Sequence, residues 1–288
     1  MANLKEIRER RASVASTRQI TSAMKMVSAA KLKKAQDAIT AMRPYANKLT
    51  ELLQNLSANL DGDSNSKFAQ AREVNKVLIV SISSNRGLCG AFNSNIVKQS
   101  VSLLQGAYGS KQVDFLTIGK KAHDLLSKRH TVISNHNDIF DNLTFEEVSK
   151  IADHLMELFT DGSYDRILLV YNRFKNAATQ IVMTEQFLPI QPPDDTASQS
   201  IADYIFEPSE AEIVEQLIPK SLKTQLFKAI RDSFASEHGA RMTAMHKATD
   251  NAGELKDQLT LTYNKARQAA ITNEILEIVG GAEALSNG

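Results

Sequence analysis

Both ends of the chain carry apolar residues at the spacing of a helix. From Leu4 to Leu60 they recur at intervals of three and four, close to the heptad period. The N-terminal stripe runs through Leu4, Ile7, Val14, Ile20, Met24, Val27, Leu32, Ala35, Ile39, Met42, Leu49, Leu53, Leu56 and Leu60. A second helical pattern starts at Ser209. The patterns predict two long terminal helices that pair antiparallel.

The second pattern changes from large residues such as Leu226 to a seam of smaller ones. The predicted seam is Ala248, Ala252, Leu255, Leu259, Thr262, Ala266, Ala269 and Leu276. Small side chains let two helices approach closely but bury little apolar area, so this helix needs a surrounding sleeve. Pro44 predicts either a kink or a boundary between two helices, and Pro219 either opens a helix or kinks one.

Between residues 74 and 190 the apolar residues no longer follow the period of a long helix. Short β-rich runs are predicted as strands at 76–82, 113–118, 166–174 and 179–189, separated by helices near 94–107, 120–129 and 144–160. Strands that alternate with helices predict an α/β layer with a largely parallel sheet. Asn142 or Thr144 is the expected cap of the third helix.

Polar segments at 61–67 and 191–200 separate these regions as a loop and a linker. The predicted fold class is therefore α/β plus long α, with domains at 1–60, 74–190 and 209–288. The two terminal helices are expected to form a spindle with the α/β domain at one end.

Composition and charge narrow the possible environments. The chain is 42% hydrophobic and 23% charged, has no tryptophan, and contains one cysteine, Cys89. It has no apolar run of about 20 residues and no apolar signal segment at its start, so we expect neither insertion nor secretion. Residues 1–48 hold eleven lysines and arginines against three acids, a local charge of about +8 that predicts an acidic partner.

The segment SSNRGLCGAFN at 83–93 joins a strand to a helix, where phosphate loops and activated cysteines occur. Its glycines, Gly87 and Gly90, lack the third glycine of a dinucleotide motif, and Gly119-Lys120 lacks the following Ser or Thr of a Walker loop. No histidine stands in a motif with Cys89, and no metal-binding motif is present. We predict a structural turn, with no catalytic, cofactor-binding or metal-binding residue. A cryptic α/β enzyme and a basic nucleic-acid adaptor remain as alternatives.

Four segments resemble one family: QITSAMKMVSAAKLKKAQ (19–36), SSNRGLCGAFN (83–93), ARMTAMHKATDNAGEL (240–255) and YNKARQAAITNEILEIVGGAEAL (263–285). They are similar to the gamma subunit of F-type ATP synthase. The resemblance implies an antiparallel coiled coil and a Rossmann-like domain that binds no nucleotide. It also implies a non-catalytic rotor shaft that carries torque between a ring of c subunits and the alpha and beta subunits, with an epsilon subunit at its base.

The resemblance further implies which residues meet partners. The expected contacts are Met24, Lys25, Arg86, Cys89, Arg241, Arg267, Gln268, Thr272 and Glu274. Met24 and Lys25 would face an acidic lever of the beta subunits, Arg267 and Gln268 their catch loops, and residues from about 271 an apolar sleeve. The thiol switch of chloroplast-type members needs a cysteine pair, so Cys89 alone excludes it. The expected location is the cytoplasmic side of a bacterial inner membrane, peripherally bound, with no nucleic acid.

Overall fold

The computed structural model describes residues 4–59, 67–68, 72–190 and 210–286. Its helices are α1 (Leu4–Asn59), α2 (Phe92–Gln105), α3 (Lys120–Leu126), α4 (Phe145–Thr160) and α5 (Glu210–Ser286). Its strands are β1 (Lys76–Ile82), β2 (Gln112–Ile118), β3 (Val132–Asn135), β4 (Arg166–Phe174) and β5 (Gln180–Leu188), and a 3₁₀ turn spans Asp138–Phe140. The chain divides into two compact units: an α/β unit, Ser28–Arg241, and a coiled-coil unit, 1–27 with 242–288.

The five strands form one sheet in the order β3-β2-β1-β4-β5. The first four strands are parallel, whereas β5 runs antiparallel to β4. Residues 175–179 connect β4 to β5 and are too few for the crossover that a parallel neighbour requires. The predicted strands are confirmed within a residue or so at their ends. Strand β3 was not predicted, because its four residues, VISN, contain no extended apolar run.

Both faces of the sheet are covered, which explains why β1 is apolar throughout. Leu78, Val80 and Ile82 pack with α4 and the first half of α5. Val77 and Ile79 on the other face pack with α2 and α3. Parallel strands buried on both faces read as continuous apolar runs, as KVLIVSI does. The central sheet therefore lies inside a three-layer core.

The predicted helix start near 144 is confirmed. Thr144 has extended backbone and its hydroxyl accepts a hydrogen bond from the Glu147 amide at 3.4 Å. Glu146 and Glu147 place negative charge in the first turn, where the helix dipole favours it. Of the two candidate caps, the structure selects Thr144 over Asn142.

Neither proline interrupts its helix. Pro44 lies inside α1 and Pro219 inside α5, and each helix continues past its proline. The alternative of a helix boundary at these positions is therefore wrong. The predicted loop at 61–67, apart from Lys67, and the linker at 191–200 lie outside the described residues.

Within the coiled-coil unit the two helices run antiparallel, as predicted. The Thr249 hydroxyl donates to the Thr21 hydroxyl at 2.8 Å. The guanidinium of Arg11 lies 5.0 Å from the centre of the Tyr263 ring. As the residue number increases along α1, the residue number of its contact on α5 decreases, which is the antiparallel arrangement. No described helix combines the length and the apolar content that a membrane crossing requires.

The seam between these helices matches the predicted one only in part. Ile7 and Thr21 of α1 are buried, as are Met245 and Ala252 of α5. The partly buried positions that continue the α5 seam are Thr249, Lys256, Leu259, Tyr263 and Ala266. Ile20 and Val27 are each 57% exposed, and Leu255 and Thr262 are also exposed. The prediction merged two helix faces because polar and amphipathic side chains occupy seam positions that hydrophobicity alone does not mark.

The end of α5 extends beyond this pairing. Every side chain from Arg267 to Glu283 is exposed. Ala269 and Leu276 therefore do not belong to a seam within the chain. Several large apolar residues of this terminal segment face solvent: Ile271, Ile275, Leu276, Ile278 and Val279.

Candidate partner-contact site

The turn that joins β1 to α2, residues 83–91 and hereafter the β1–α2 turn, is held by its own side chains. The Ser84 hydroxyl donates to the Arg86 carbonyl at 2.6 Å, and the Ser84 amide donates to the Asn93 side chain at 3.0 Å. Two residues have left-handed backbone, Leu88 with φ of 62° and Gly90 with φ of 60°. Gly90 supplies this conformation without a Cβ conflict.

A buried charged pair on α5 holds the same turn from behind. The Arg241 guanidinium pairs with the Glu237 carboxylate one helical turn earlier. It also donates to the carbonyls of Arg86 at 3.1 Å and Gly87 at 3.3 Å. Burial raises the pKa of Glu237, and the charge of Arg241 opposes that rise. We call Glu237 and Arg241 the α5 clamp.

Two of the predicted contact residues are interior, which corrects their expected role. Cys89 is 1% exposed and packs against Phe92 and Ala240, and Arg241 is 7% exposed. Burial also raises the pKa of the Cys89 thiol, which favours its protonated form. Cys89 and Arg241 therefore support the β1–α2 turn from inside and do not present their side chains to a partner.

The other predicted contact residues are accessible. Arg86 is exposed on the β1–α2 turn, and Met24 and Lys25 are partly buried on α1. Arg267, Gln268, Thr272 and Glu274 are exposed on the segment of α5 beyond the helix pairing. The structure brings Arg241 to the carbonyl of Arg86. Gln268 and Thr272 share one helix face, where the threonine hydroxyl donates to the Gln268 carbonyl at 3.0 Å.

The first turn of α3 lies at the carboxyl end of β2 and packs against the β1–α2 turn. The first amides of a helix can bind an anion such as a phosphate. Here the first amides of α3 are already bonded: Lys120 donates to the Asn85 side chain at 3.0 Å, Lys121 to the Ser84 carbonyl at 3.0 Å, and Ala122 to the Ser83 hydroxyl at 2.9 Å.

Gly119 makes this close packing possible. A Cβ at Gly119 would lie 2.3 Å from the Ser83 carbonyl oxygen, and its φ is 107°. Among the described residues, no group of three His, Cys, Asp or Glu side chains is arranged to hold a metal ion. The β1–α2 turn thus accepts the hydrogen bonds of the first amides of α3.

Two polar contacts of buried α5 residues tie α5 to α1 and to β4, and the sequence interpretation missed them. Asp232 is buried and lies 3.8 Å from the Arg43 guanidinium. The Ser236 hydroxyl donates to the Asn172 carbonyl at 2.9 Å. Burial raises the pKa of Asp232, and Arg43 opposes the rise. A signal was present in the sequence, since Asp232, Ser236 and Glu237 follow the helical period inside an apolar stretch of α5.

His238 is a buried histidine beside the α5 clamp. It is 5% exposed, its ring meets the Phe234 ring edge-on at 4.6 Å, and neither ring nitrogen has a hydrogen-bond partner among the described residues. Burial, together with the positive charges of Arg241 and Lys31, lowers its pKa to about 4. The folded chain therefore keeps this ring neutral.

This neutral ring predicts acid sensitivity. Below the unfolded-state pKa of about 6.5, the His238 ring binds a proton in the unfolded chain but not in the folded chain. The free energy of unfolding is therefore highest above about pH 6.5 and falls by about 3 kcal/mol as the pH approaches 4. In urea titrations, His238→Leu should therefore gain stability relative to wild type between pH 7.5 and 4.5. A stability difference that does not change with pH would contradict this.

Comparison with known proteins identifies the family of the chain. A profile of the family described as ATP synthase matches residues 3–285. The ATP synthase gamma chain of Flavobacterium johnsoniae is 71% identical over 286 residues, covering 99% of this chain and 100% of the relative. The ATP synthase gamma chain of a Geobacter species is 44% identical over 286 residues, covering 99% of each chain.

Solved structures agree with these matches. A chain of the Tetrahymena thermophila mitochondrial ATP synthase central stalk and c ring has a TM-score of 0.61 at 26% identity, covering 80% of this chain and 99% of its own. A chain of the Euglena gracilis mitochondrial ATP synthase in rotational state 3 has a TM-score of 0.70 at 23% identity, covering 98% of this chain and 94% of its own, and shows a shared fold. The chain belongs to the ATP synthase gamma chain family.

Proposed function

We propose that this chain is the central rotor shaft of an F-type ATP synthase. It carries torque between an ion-driven ring of c subunits and the catalytic hexamer of alpha and beta subunits, in ATP synthesis or hydrolysis. The epsilon subunit is a further partner. The observation that carries the proposal is full-length similarity to ATP synthase gamma chains, combined with a continuous α5 whose terminal segment is exposed.

The terminal segment supports the hexamer as partner. Large apolar side chains such as Ile271, Ile275 and Ile278 stand exposed on the end of α5. Exposed apolar surface of this extent on a helix typically marks an interaction site. An apolar sleeve formed by the hexamer would cover these side chains without polar bonds that lock rotation.

The shaft itself is proposed to be non-catalytic, with the chemistry in its partners. One feature supports this: Ser83, Ser84 and Asn85 accept the hydrogen bonds of the first α3 amides, so that these amides do not bind an anion. We further propose a peripheral position on the cytoplasmic side of a bacterial inner membrane, where the complex couples ion transport to ATP synthesis.

The proposed contacts to the hexamer are divided between two segments. Met24 and Lys25 on α1 would meet an acidic lever of the beta subunits, which fits the positive charge of this helix. Arg267 and Gln268 would meet loops of the beta subunits, and Thr272 and Glu274 would lie within the sleeve. A shaft that contacts three equivalent subunits differently would favour a different conformation in each, which couples rotation to catalysis.

The test is reconstitution with the alpha and beta subunits of the same organism. The wild-type chain should join the hexamer at one copy per three beta subunits and support ATP-driven rotation. Arg267→Ala should reduce coupled ATPase activity about tenfold, equivalent to about 1.4 kcal/mol, because it removes one charge from the proposed contact with the beta subunits.

Two control variants isolate this effect. Lys265→Ala removes an exposed cation two residues earlier, on nearly the opposite face of α5, and Cys89→Ser alters an interior residue. Both should retain most of the coupled activity. Equal losses in all three variants would refute the assignment of Arg267, and ATP hydrolysis by the purified chain alone would refute the non-catalytic role.

A further inference from the structure

A cavity outside the partner-contact site is lined by two histidines. It has a volume of about 440 Å³ and lies between α4 and the segment that follows β3, residues 136–144, hereafter the β3–α4 segment. The charged and titratable side chains that line it are His136, Asp138, Glu147, Lys150 and His154. Histidine is the side chain whose charge changes between pH 5 and 8, so the net charge of this cavity depends on pH in that range.

His136 is half-buried and held against the sheet. Its amide donates to the Thr117 carbonyl at 2.8 Å, and its Nε2 lies 2.8 Å from the Ser134 hydroxyl. On the α3 side, His123 lies 3.5 Å from the Thr117 hydroxyl. Burial and the charge of His154 lower the pKa of His136, and the charge of Asp138 opposes this effect.

The acids of the cavity do not balance two charged rings. The Glu147 carboxylate is already paired with Lys150 at 2.7 Å. The negative charge available to offset two imidazolium groups is therefore mainly that of Asp138. Two protonated histidines would leave the cavity with an excess of positive charge.

The β3–α4 segment is tied to the rest of the α/β unit by two long-range hydrogen bonds. Its Asn137 carbonyl accepts from the Asn85 side chain at 2.8 Å. Its Leu143 carbonyl accepts from the Arg231 guanidinium of α5 at 3.1 Å. Asn137 directly follows His136, and Asn85 belongs to the β1–α2 turn. A displacement of His136 therefore acts on the contact that joins this segment to the turn.

We propose that His136 and His154 form an acid-responsive pair that opens the Asn85–Asn137 contact and loosens the β1–α2 turn. Protonation of both rings places two positive charges across one cavity, together with the ammonium group of Lys150. Their repulsion displaces the β3–α4 segment from α4. The device requires no partner subunit, because every group in it belongs to the α/β unit.

The direction of the pH effect follows from His136. Its pKa is lowered in the closed arrangement and returns toward the ordinary value of about 6.5 when the segment opens. The closed arrangement is therefore favoured above about pH 6.5, and this preference is lost as the pH falls through the lower pKa of the closed form. The β1–α2 turn should be firm at pH 7.5 and loosened at pH 5.0.

The test compares variants by hydrogen exchange at these two pH values, measured by mass spectrometry on the isolated full-length chain. His154→Gln removes one of the two titrating rings and keeps a polar side chain at an exposed position of α4. His246→Gln is the matched control, at an exposed histidine of the coiled-coil unit. Wild type and both variants retain His238, so its effect on global stability is the same in each.

At pH 5.0, peptides that cover 83–91 and 136–144 should exchange about fivefold faster in wild type than in His154→Gln, the factor expected for one hydrogen bond. At pH 7.5 the two chains should match. A peptide that covers β4 should exchange equally in all three chains, and His246→Gln should behave as wild type. Equal rates in wild type and His154→Gln at pH 5.0 would overturn the device, as would a difference spread over the whole chain.

A second measurement separates charge from structure. In NMR titrations of the imidazole signals, His154→Gln should raise the pKa of His136, because it removes a positive charge that opposes protonation of that ring. An unchanged pKa of His136 in this variant would show that the two rings do not sense each other, and would contradict the pair.

Discussion

Replacing Arg241 by methionine should lower the free energy of unfolding by about 3 to 5 kcal/mol. The substitution keeps most of the side-chain volume but leaves the Glu237 carboxylate buried without its partner. It also removes the donor for the carbonyls of Arg86 and Gly87. An unpaired buried acceptor adds its own desolvation cost. Urea denaturation followed by circular dichroism measures the change.

A double-mutant cycle distinguishes the clamp from general damage to the helix. Glu237→Gln combined with Arg241→Met should cost less than the sum of the two single changes, because the double variant contains no uncompensated buried charge. Arg267→Met, an exposed arginine on the same helix, should change stability by no more than about 0.5 kcal/mol. A cost below about 1 kcal/mol for Arg241→Met would contradict the clamp.

Replacing Gly119 by alanine should destabilise the chain by roughly 3 kcal/mol or more. A Cβ at this position would lie 2.3 Å from the backbone oxygen of Ser83, and the φ of 107° is unfavourable for any residue with a side chain. Relief requires the β1–α2 turn to move away from α3. That movement weakens the hydrogen bond from the Ser83 hydroxyl to the Gly119 carbonyl, now 3.2 Å. The unfolding midpoint in urea reports the loss.

Gly87→Ala is the matched control on the facing turn. A Cβ at Gly87 has no neighbour within 4 Å, and Gly87 has no positive φ. The change should leave stability within about 1 kcal/mol of wild type. Equal costs at the two glycines would show that the close approach of Gly119 to Ser83 is not what restricts the site.

The two variants address one property of the α/β unit. Gly119 allows the β1–α2 turn to pack closely against the start of α3, and the α5 clamp secures that turn to α5.

The long helices, most strands and the class of the sheet were predictable, because they follow from repeats of apolar residues along short stretches of chain. The register of the coiled coil was not. Thr21 and Thr249 pair across 228 positions, and their hydroxyls satisfy each other only after the helices meet. A pattern that counts apolar residues therefore assigned Ile20 and Val27 to the seam, although both are exposed.

The candidate site likewise has features that the sequence predicts and features that it does not. Exposed residues proposed as partner contacts, such as Arg86, Arg267 and Glu274, could be named from sequence segments that resemble a family. The burial of Cys89 and Arg241 could not, since it depends on a turn near residue 86 meeting a helix 155 positions later.

The sequence by itself determined that residues 83–93 form a turn without a nucleotide or nucleophile motif, and that two amphipathic helices flank an α/β region. Periodicity and missing motif residues are local properties, so they can be read without coordinates. Only the tertiary structure decided that this turn packs against the start of α3, that Arg241 and Cys89 are buried behind it, and that Leu88 projects from it. Burial and backbone conformation there arise from contacts between residues far apart in the chain, which no local pattern encodes.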